Sequence, residues 1–145
     1  FKKIKINNKL IQIDLWDTNG HDNALSIARF FYKDANIVIL VYQISLQHTF
    51  ELIKKLYPDV IEYGEKYTIL AIVGTKSDLY EEEEINEDEA REYAEQIGAT
   101  FMLVSSKSGD NVDLLFDTLI KQYLKLNKME KKKLKIGNLM KWYSY

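Results

Sequence analysis

Three polar clusters in this chain have residue types and spacing suited to chemistry. The first, Trp16 to Asp22 (WDTNGHD), gathers two carboxylates, a hydroxyl, an imidazole and a glycine. Such a set suits a metal ion or a phosphate, and it equally suits a turn closing a strand, since Asn-Gly is a common turn dipeptide. The second is Gly74 to Leu79 (GTKSDL) and the third is Ser105 to Gly109 (SSKSG). Gly, Ser, Thr and Asp are ordinary loop residues, so no cluster speaks alone. Each one follows an apolar run, and that shared placement is the signal.

The elements that must position them can be read from hydrophobic period. Ile4 and Ile6 alternate with lysine, Asn7-Asn8 intervenes, and Ile11, Ile13 and Leu15 alternate with Gln12, Asp14 and Trp16. Period two on both sides of an Asn pair predicts a β-hairpin. Residues Asn36 to Tyr42, Thr68 to Val73 and Thr100 to Val104 are short, continuously apolar runs, as strands buried on both faces should be.

Helical patterns separate these runs. Asn86 is placed to cap a helix whose first turn carries Glu87, Asp88 and Glu89, and Gly98 to end it. Val112, Leu115, Phe116, Leu119 and Tyr123 trace one face of a last helix. Thr49 to Tyr63 also reads as helix, with Pro58 expected to kink or shorten it. Alternating strands and helices predict a mostly parallel α/β sheet with right-handed crossovers and an antiparallel hairpin at its edge. In such sheets ligands bind beyond the carboxyl ends of the strands, where the three clusters fall.

Composition limits the alternatives. A chain of 145 residues fits one domain with a real core. Charges nearly balance at a formal −2, and Arg29 and Arg91 are its only arginines, so no arginine-rich face for nucleic acid stands out. The absence of cysteine excludes a disulfide framework, a thiolate metal site and a cysteine nucleophile. No apolar run approaches the roughly 20 residues of a membrane span. The polar opening FKKIKINN is unlike a signal peptide. A cytoplasmic protein is expected.

With these residues in view, the sequence resembles the Ras superfamily of small GTPases. WDT-x-G, TKSD and SSK look like its third, fourth and fifth nucleotide-binding motifs. FFYKDANIVILVYQISLQHTFELI and the stretch from Gly74 to Phe116 look most like the Rab branch. Tyr57-Pro58-Asp59-Val60 and Gly74-Thr75-Lys76 also look like Rho proteins, but the long insert Rho proteins usually carry after the fourth motif is missing. The resemblance runs to about Leu126, dividing the chain into a partial G domain (1–126) and a lysine-rich tail (127–145).

The resemblance implies a P-loop NTPase-like α/β fold and a GTP-binding switch in vesicle traffic that hydrolyses GTP to GDP. It assigns Asp78 to the two donors on the guanine edge, Lys76 to the face of the purine, and Thr75 to the position where most Rabs have asparagine. Ser105, Ser106 and Lys107 would support the base, with Ser106 replacing an alanine. Asp17 would hold magnesium through water, and the Gly20 N–H would face a γ-phosphate. His21 stands where the family has the glutamine that orients the attacking water. A bulkier, protonatable imidazole there predicts slow hydrolysis. Asp22 replaces a glutamate. Effector, exchange-factor and activating proteins would engage switch II, Trp16 to Phe31.

Two departures stand beside the resemblance. The phosphate loop G-x-x-x-x-G-K-S/T has no counterpart among the six glycines. The family's first strand, P-loop and first helix would precede Phe1. Because that first strand lies mid-sheet, two apolar strand edges are expected to be left unpaired. Prenylated cysteines, with which Rab proteins usually end, are also lacking, and Lys131 to Lys133 are a weak substitute for membrane anchoring. Peripheral association with endomembranes follows from the family alone. The alternative reading is a pseudo-GTPase interaction module that binds no nucleotide.

Overall fold

The hairpin forms where the Asn pair divides two alternating runs. In the computed structural model, which describes residues 2–6, 9–18, 25–129 and 140–143, β1 (Lys2–Ile6) pairs antiparallel with β2 (Lys9–Ile13) as a two-stranded sheet. The Asn7-Asn8 turn itself lies outside the described residues. At Asp14 the chain leaves β2 and enters β3 (Leu15–Thr18), an edge strand of the main sheet. Helix α1 (Leu25–Tyr32) follows, in a stretch where hydrophobic period alone announced no helix.

The three apolar runs become β4 (Ile37–Gln43), β5 (Ile69–Thr75) and β6 (Thr100–Leu103), all parallel. Their inward and outward residues feed two separate cores. Val38, Leu40, Tyr42, Leu70 and Ile72 pack with Phe50, Ile53, Leu56 and Val60 of α2 (Gln47–Tyr63) and Ala90 and Ala94 of α3 (Glu87–Gln96). Ile37, Ile39, Val41, Ile69, Ala71 and Val73 pack on the opposite face with Leu115, Leu119, Ile120 and Tyr123 of α4 (Val112–Met129). Ile11 and Ile13 of the hairpin join this second core. A strand buried on both faces must be apolar at every position, which explains why β4 and β5 read as continuous runs.

Local signals explain most helix boundaries. The Asn86 side chain accepts a hydrogen bond from the Asp88 N–H at 2.7 Å, and Gly98 takes the left-handed conformation (φ +70°) past the end of α3. Pro58 does not shorten the helix: α2 runs without interruption from Gln47 to Tyr63. Pro58 lies on the exposed side of that helix, where a carbonyl left without its N–H partner faces solvent, while Phe50, Ile53, Leu56 and Val60 anchor the opposite side.

The two strand edges expected to be unpaired are bridged instead. A seventh strand, β7 (Met140–Tyr143), lies between β3 and β4 and is parallel to both, giving the order β3-β7-β4-β5-β6. The gap thus takes a strand from the lysine-rich end of the chain. Lys131 to Lys133 fall outside the described residues.

Candidate functional site

The carboxyl ends of β5 and β6 bring two of the three clusters into one corner. The Val104 N–H donates to the Gly74 carbonyl (2.8 Å) and the Ser77 N–H to the Val104 carbonyl (3.1 Å), which stitches the TKSD loop to the SSK loop. Thr75 ends β5, and its hydroxyl donates to the Tyr42 carbonyl at 2.8 Å, tying that loop also to β4. Lys76 sits in the left-handed region (φ 58°) and reverses the chain into a 3₁₀ segment, Ser77–Glu82.

Asp78, the second residue of that segment, points back across the corner. The Ser105 hydroxyl donates to its Oδ1 at 2.6 Å, and Lys107 Nζ lies 3.3 Å from its Oδ2. Ser105 is fully buried and its own Oγ accepts from the Ser108 N–H at 3.2 Å, so the hydroxyl is aimed rather than free to rotate. The Gly109 N–H donates to the Ser105 carbonyl at 2.8 Å, and Gly109 (φ +86°) makes the turn that closes this loop. The Ser105 hydrogen bond, followed by the local backbone and Lys107, holds the Asp78 carboxyl below its ordinary value. The corner therefore presents an ionised carboxylate at its base, with Ser106 exposed beside it and Lys107 81% exposed at its rim.

Of the residues singled out from sequence, Thr75, Lys76, Asp78, Ser105, Ser106 and Lys107 share this corner. Asp17 lies across the sheet beyond β4 and β7, exposed on edge strand β3 next to Thr18, whose buried hydroxyl has no hydrogen-bond partner. Gly20, His21 and Asp22 lie outside the described residues. Among the described residues no group of three or more histidines or acids is arranged to hold a metal ion. No described helix is long and apolar enough to cross a membrane.

Beside β3 a partly apolar surface is exposed. Trp16 is 46% exposed and its ring lies 5.7 Å from that of Phe31 on α1, while Phe30 is 82% exposed. Arg29 clamps α1 to α2 through Asp59, at 3.1 and 3.3 Å, and stacks over the Tyr63 ring at 4.9 Å.

Two features of the site were not legible in the sequence. Gly74 faces Tyr42 in register, and a Cβ there would meet the Tyr42 hydroxyl at 2.8 Å and Leu103 Cδ2 at 2.5 Å. A large residue opposite a glycine was the available signal. The acidic run Glu81 to Glu84 gave none: Glu84 Oε2 accepts from the Gln47 N–H at 2.8 Å and caps α2, whose own N-cap residue, Leu46, has no side chain able to do so.

A parallel sheet covered on both faces, with a carboxylate and a lysine-serine loop joined at its carboxyl edge, is the architecture of a nucleotide-binding α/β protein. The sequence model of the Ras family matches residues 1–125, and the chain belongs to that family as a Rab-like small GTPase. It is 32% identical over 140 residues to the Ras-related protein Rab-31 of Mus musculus, covering 94% of this chain and 72% of the relative. It is 31% identical over 115 residues to Rab-30 of Homo sapiens, covering 79% and 57% respectively. With RHN1 of Nicotiana plumbaginifolia it shares 32% over 119 residues, covering 82% of this chain and 60% of the relative.

Proposed function

We propose that this chain carries the guanine-reading half of a Rab-like GTP/GDP switch in vesicle traffic, acting in the cytoplasm and peripherally on endomembranes. The observation that carries the reading is the Asp78 carboxylate, held ionised by Ser105 and Lys107 at the end of β5. A guanine edge offers two adjacent N–H donors, which one carboxylate accepts together, and charge-assisted hydrogen bonds of this kind are the strong ones. The aliphatic stem of Lys76 covers the purine face, and the backbone of Ser105 to Lys107 supports the base.

Proteins of this family generally bind their nucleotide with magnesium. When bound, the ion neutralises phosphate charge. A single carboxylate at Asp17 fits an ion that keeps most of its water, as magnesium does. In the reading transferred from the family, Gly20 meets the γ-phosphate and His21 takes the water-positioning place, with hydrolysis slow because imidazole holds the water poorly. Trp16, Phe30 and Phe31 form the surface offered to effectors, exchange factors and activating proteins.

Calorimetric titration of GDP against ADP, with magnesium, tests the guanine corner directly. GDP should bind more tightly than ADP, and Asp78→Ala should remove about 100-fold of that preference, the value of two charge-assisted bonds at about 1.4 kcal/mol each. Equal affinity for both nucleotides in a folded chain overturns the reading.

A second reading, a module that binds partners but no nucleotide, is favoured by one observation. The mid-sheet position that would lead into the phosphate site is filled by Met140–Tyr143, whose sequence MKWY carries no glycine to cradle phosphate. Absence of any GDP binding by the folded chain supports this reading over the first.

A further inference from the structure

The Asp78 carboxylate is met from two sides by the chain's own donors. From within, the Ser105 hydroxyl donates to Oδ1 at 2.6 Å, and because Ser105 is fully buried this contact takes the inner side of the carboxylate. From the rim, Lys107 Nζ stands 3.3 Å from Oδ2, the lysine side chain being 81% exposed and that of Asp78 19% exposed. A ligand arrives from solvent, so the oxygen it meets is the one that Lys107 covers. The two contacts also differ in firmness. Ser105 is fixed by its own loop, through the Ser108 and Gly109 N–H groups. Lys107 has one ion-pair partner among the described residues, Asp78 itself, and a pair made by so exposed an ammonium is weak and screened by salt.

We propose that Lys107 is an autoinhibitory latch on the base corner: in the unliganded chain its ammonium holds the place on Oδ2 that a guanine N–H takes on binding, and the incoming base displaces it into solvent. The inference rests on the guanine reading of Asp78 and adds a step that binding must include. The two donors of a guanine edge lie side by side and call for one carboxylate oxygen each. Ser105 stays in place, since it approaches from inside and Oδ1 keeps a second lone pair for the base. Lys107 has to leave, since it covers Oδ2 on the side where the base enters. Its departure costs little, because the ammonium is already mostly in water. In this role the Lys107 charge opposes base binding, whereas a lysine that only supported the base would favour it.

Guanosine is the probe, because it carries the base without phosphate charge and reads this corner alone. NMR titration of the full chain at pH 7, where the Asp78 carboxyl is ionised, compares the unaltered protein with Lys107→Met, which keeps a straight apolar stem and loses the charge. Lys107→Met should bind guanosine about 3-fold more tightly. Raising the salt from about 0.05 M to about 1 M should tighten guanosine binding by the unaltered chain to a similar extent, because the ion pair is screened while the ligand is neutral, and should leave Lys107→Met unchanged. Equal or weaker binding by Lys107→Met, or an affinity of the unaltered chain that does not rise with salt, overturns the latch and leaves the guanine reading standing. Absence of guanosine binding by both folded chains overturns the guanine reading and the latch with it.

Discussion

Ser105 and Asp78, 27 residues apart, meet at 2.6 Å, the serine hydroxyl donating to the carboxylate. The contact joins the loops after β5 and β6 and keeps a carboxylate charged at the mouth of the corner. Under the proposed guanine reading, the same oxygen atoms would accept from an incoming base.

Removing that hydroxyl should raise the Asp78 titration. The folded-state value lies below the ordinary 3.8, with the Ser105 hydrogen bond as the largest cause. A depressed carboxyl stabilises the fold above the unfolded value and loses that contribution as pH falls through the folded value. Ser105→Ala should therefore move the Asp78 titration, followed by carboxyl NMR, back towards 3.8, and should flatten the loss of stability below about pH 4. An unchanged titration would show that Lys107 and the backbone alone set the charge.

The packing of Tyr42 over Gly74 sets a second expectation. Gly74→Ala places a methyl against the Tyr42 ring and Leu103, both in a packed core, and should cost about 2 kcal/mol in urea unfolding. The Tyr42 hydroxyl is buried without a hydrogen-bond partner, and burial with the nearby Glu83, Glu87 and Glu89 pushes its ionisation well above the ordinary tyrosine value. Tyr42→Phe should raise stability by about 1 kcal/mol, because it removes a desolvated polar group and little volume. A loss of stability on this change would mean that a buried water satisfies the hydroxyl.

Glu84 should behave as the cap of α2 despite lying 37 residues away in sequence. Its loss in Glu84→Ala leaves the Gln47 N–H unsatisfied and removes a negative charge from the helix N-terminus, at a cost of about 1 kcal/mol. Thermal unfolding should fall by about 3 °C. Glu82→Ala, in the same acidic run, should leave the midpoint within about 1 °C, as exposed substitutions usually do.

Pro58 interrupts the hydrogen bonding of α2 without ending it. Pro58→Ala restores an N–H on the exposed face and should raise stability by about 1 to 2 kcal/mol, the helix gain being offset in part by a freer unfolded chain. A decrease in the urea midpoint would show that the proline ring packs usefully where it is.

Much of this protein is written in local pattern. The apolar runs of β4, β5 and β6, the Asn86 cap, the Gly98 stop and the apolar face of α4 all follow from side-chain period and capping chemistry within a few residues. The resemblance of WDT-x-G, TKSD and SSK to nucleotide-binding motifs is legible for the same reason, because each is contiguous. Pro58 does not end α2, because proline's cost depends on which side of the helix faces water, a matter of packing rather than of type.

Only the tertiary structure decides which distant groups become partners. Glu84 caps α2, Ser105 aims Asp78, and Tyr42 occupies the space that Gly74 leaves, each across a separation that no short-range period encodes. The clearest case is β7. Met140–Tyr143 is short and mixed in polarity, with no strand pattern of its own. What makes it a strand is the slot between β3 and β4, whose backbone donors and acceptors must be met by some segment once both neighbours are in place.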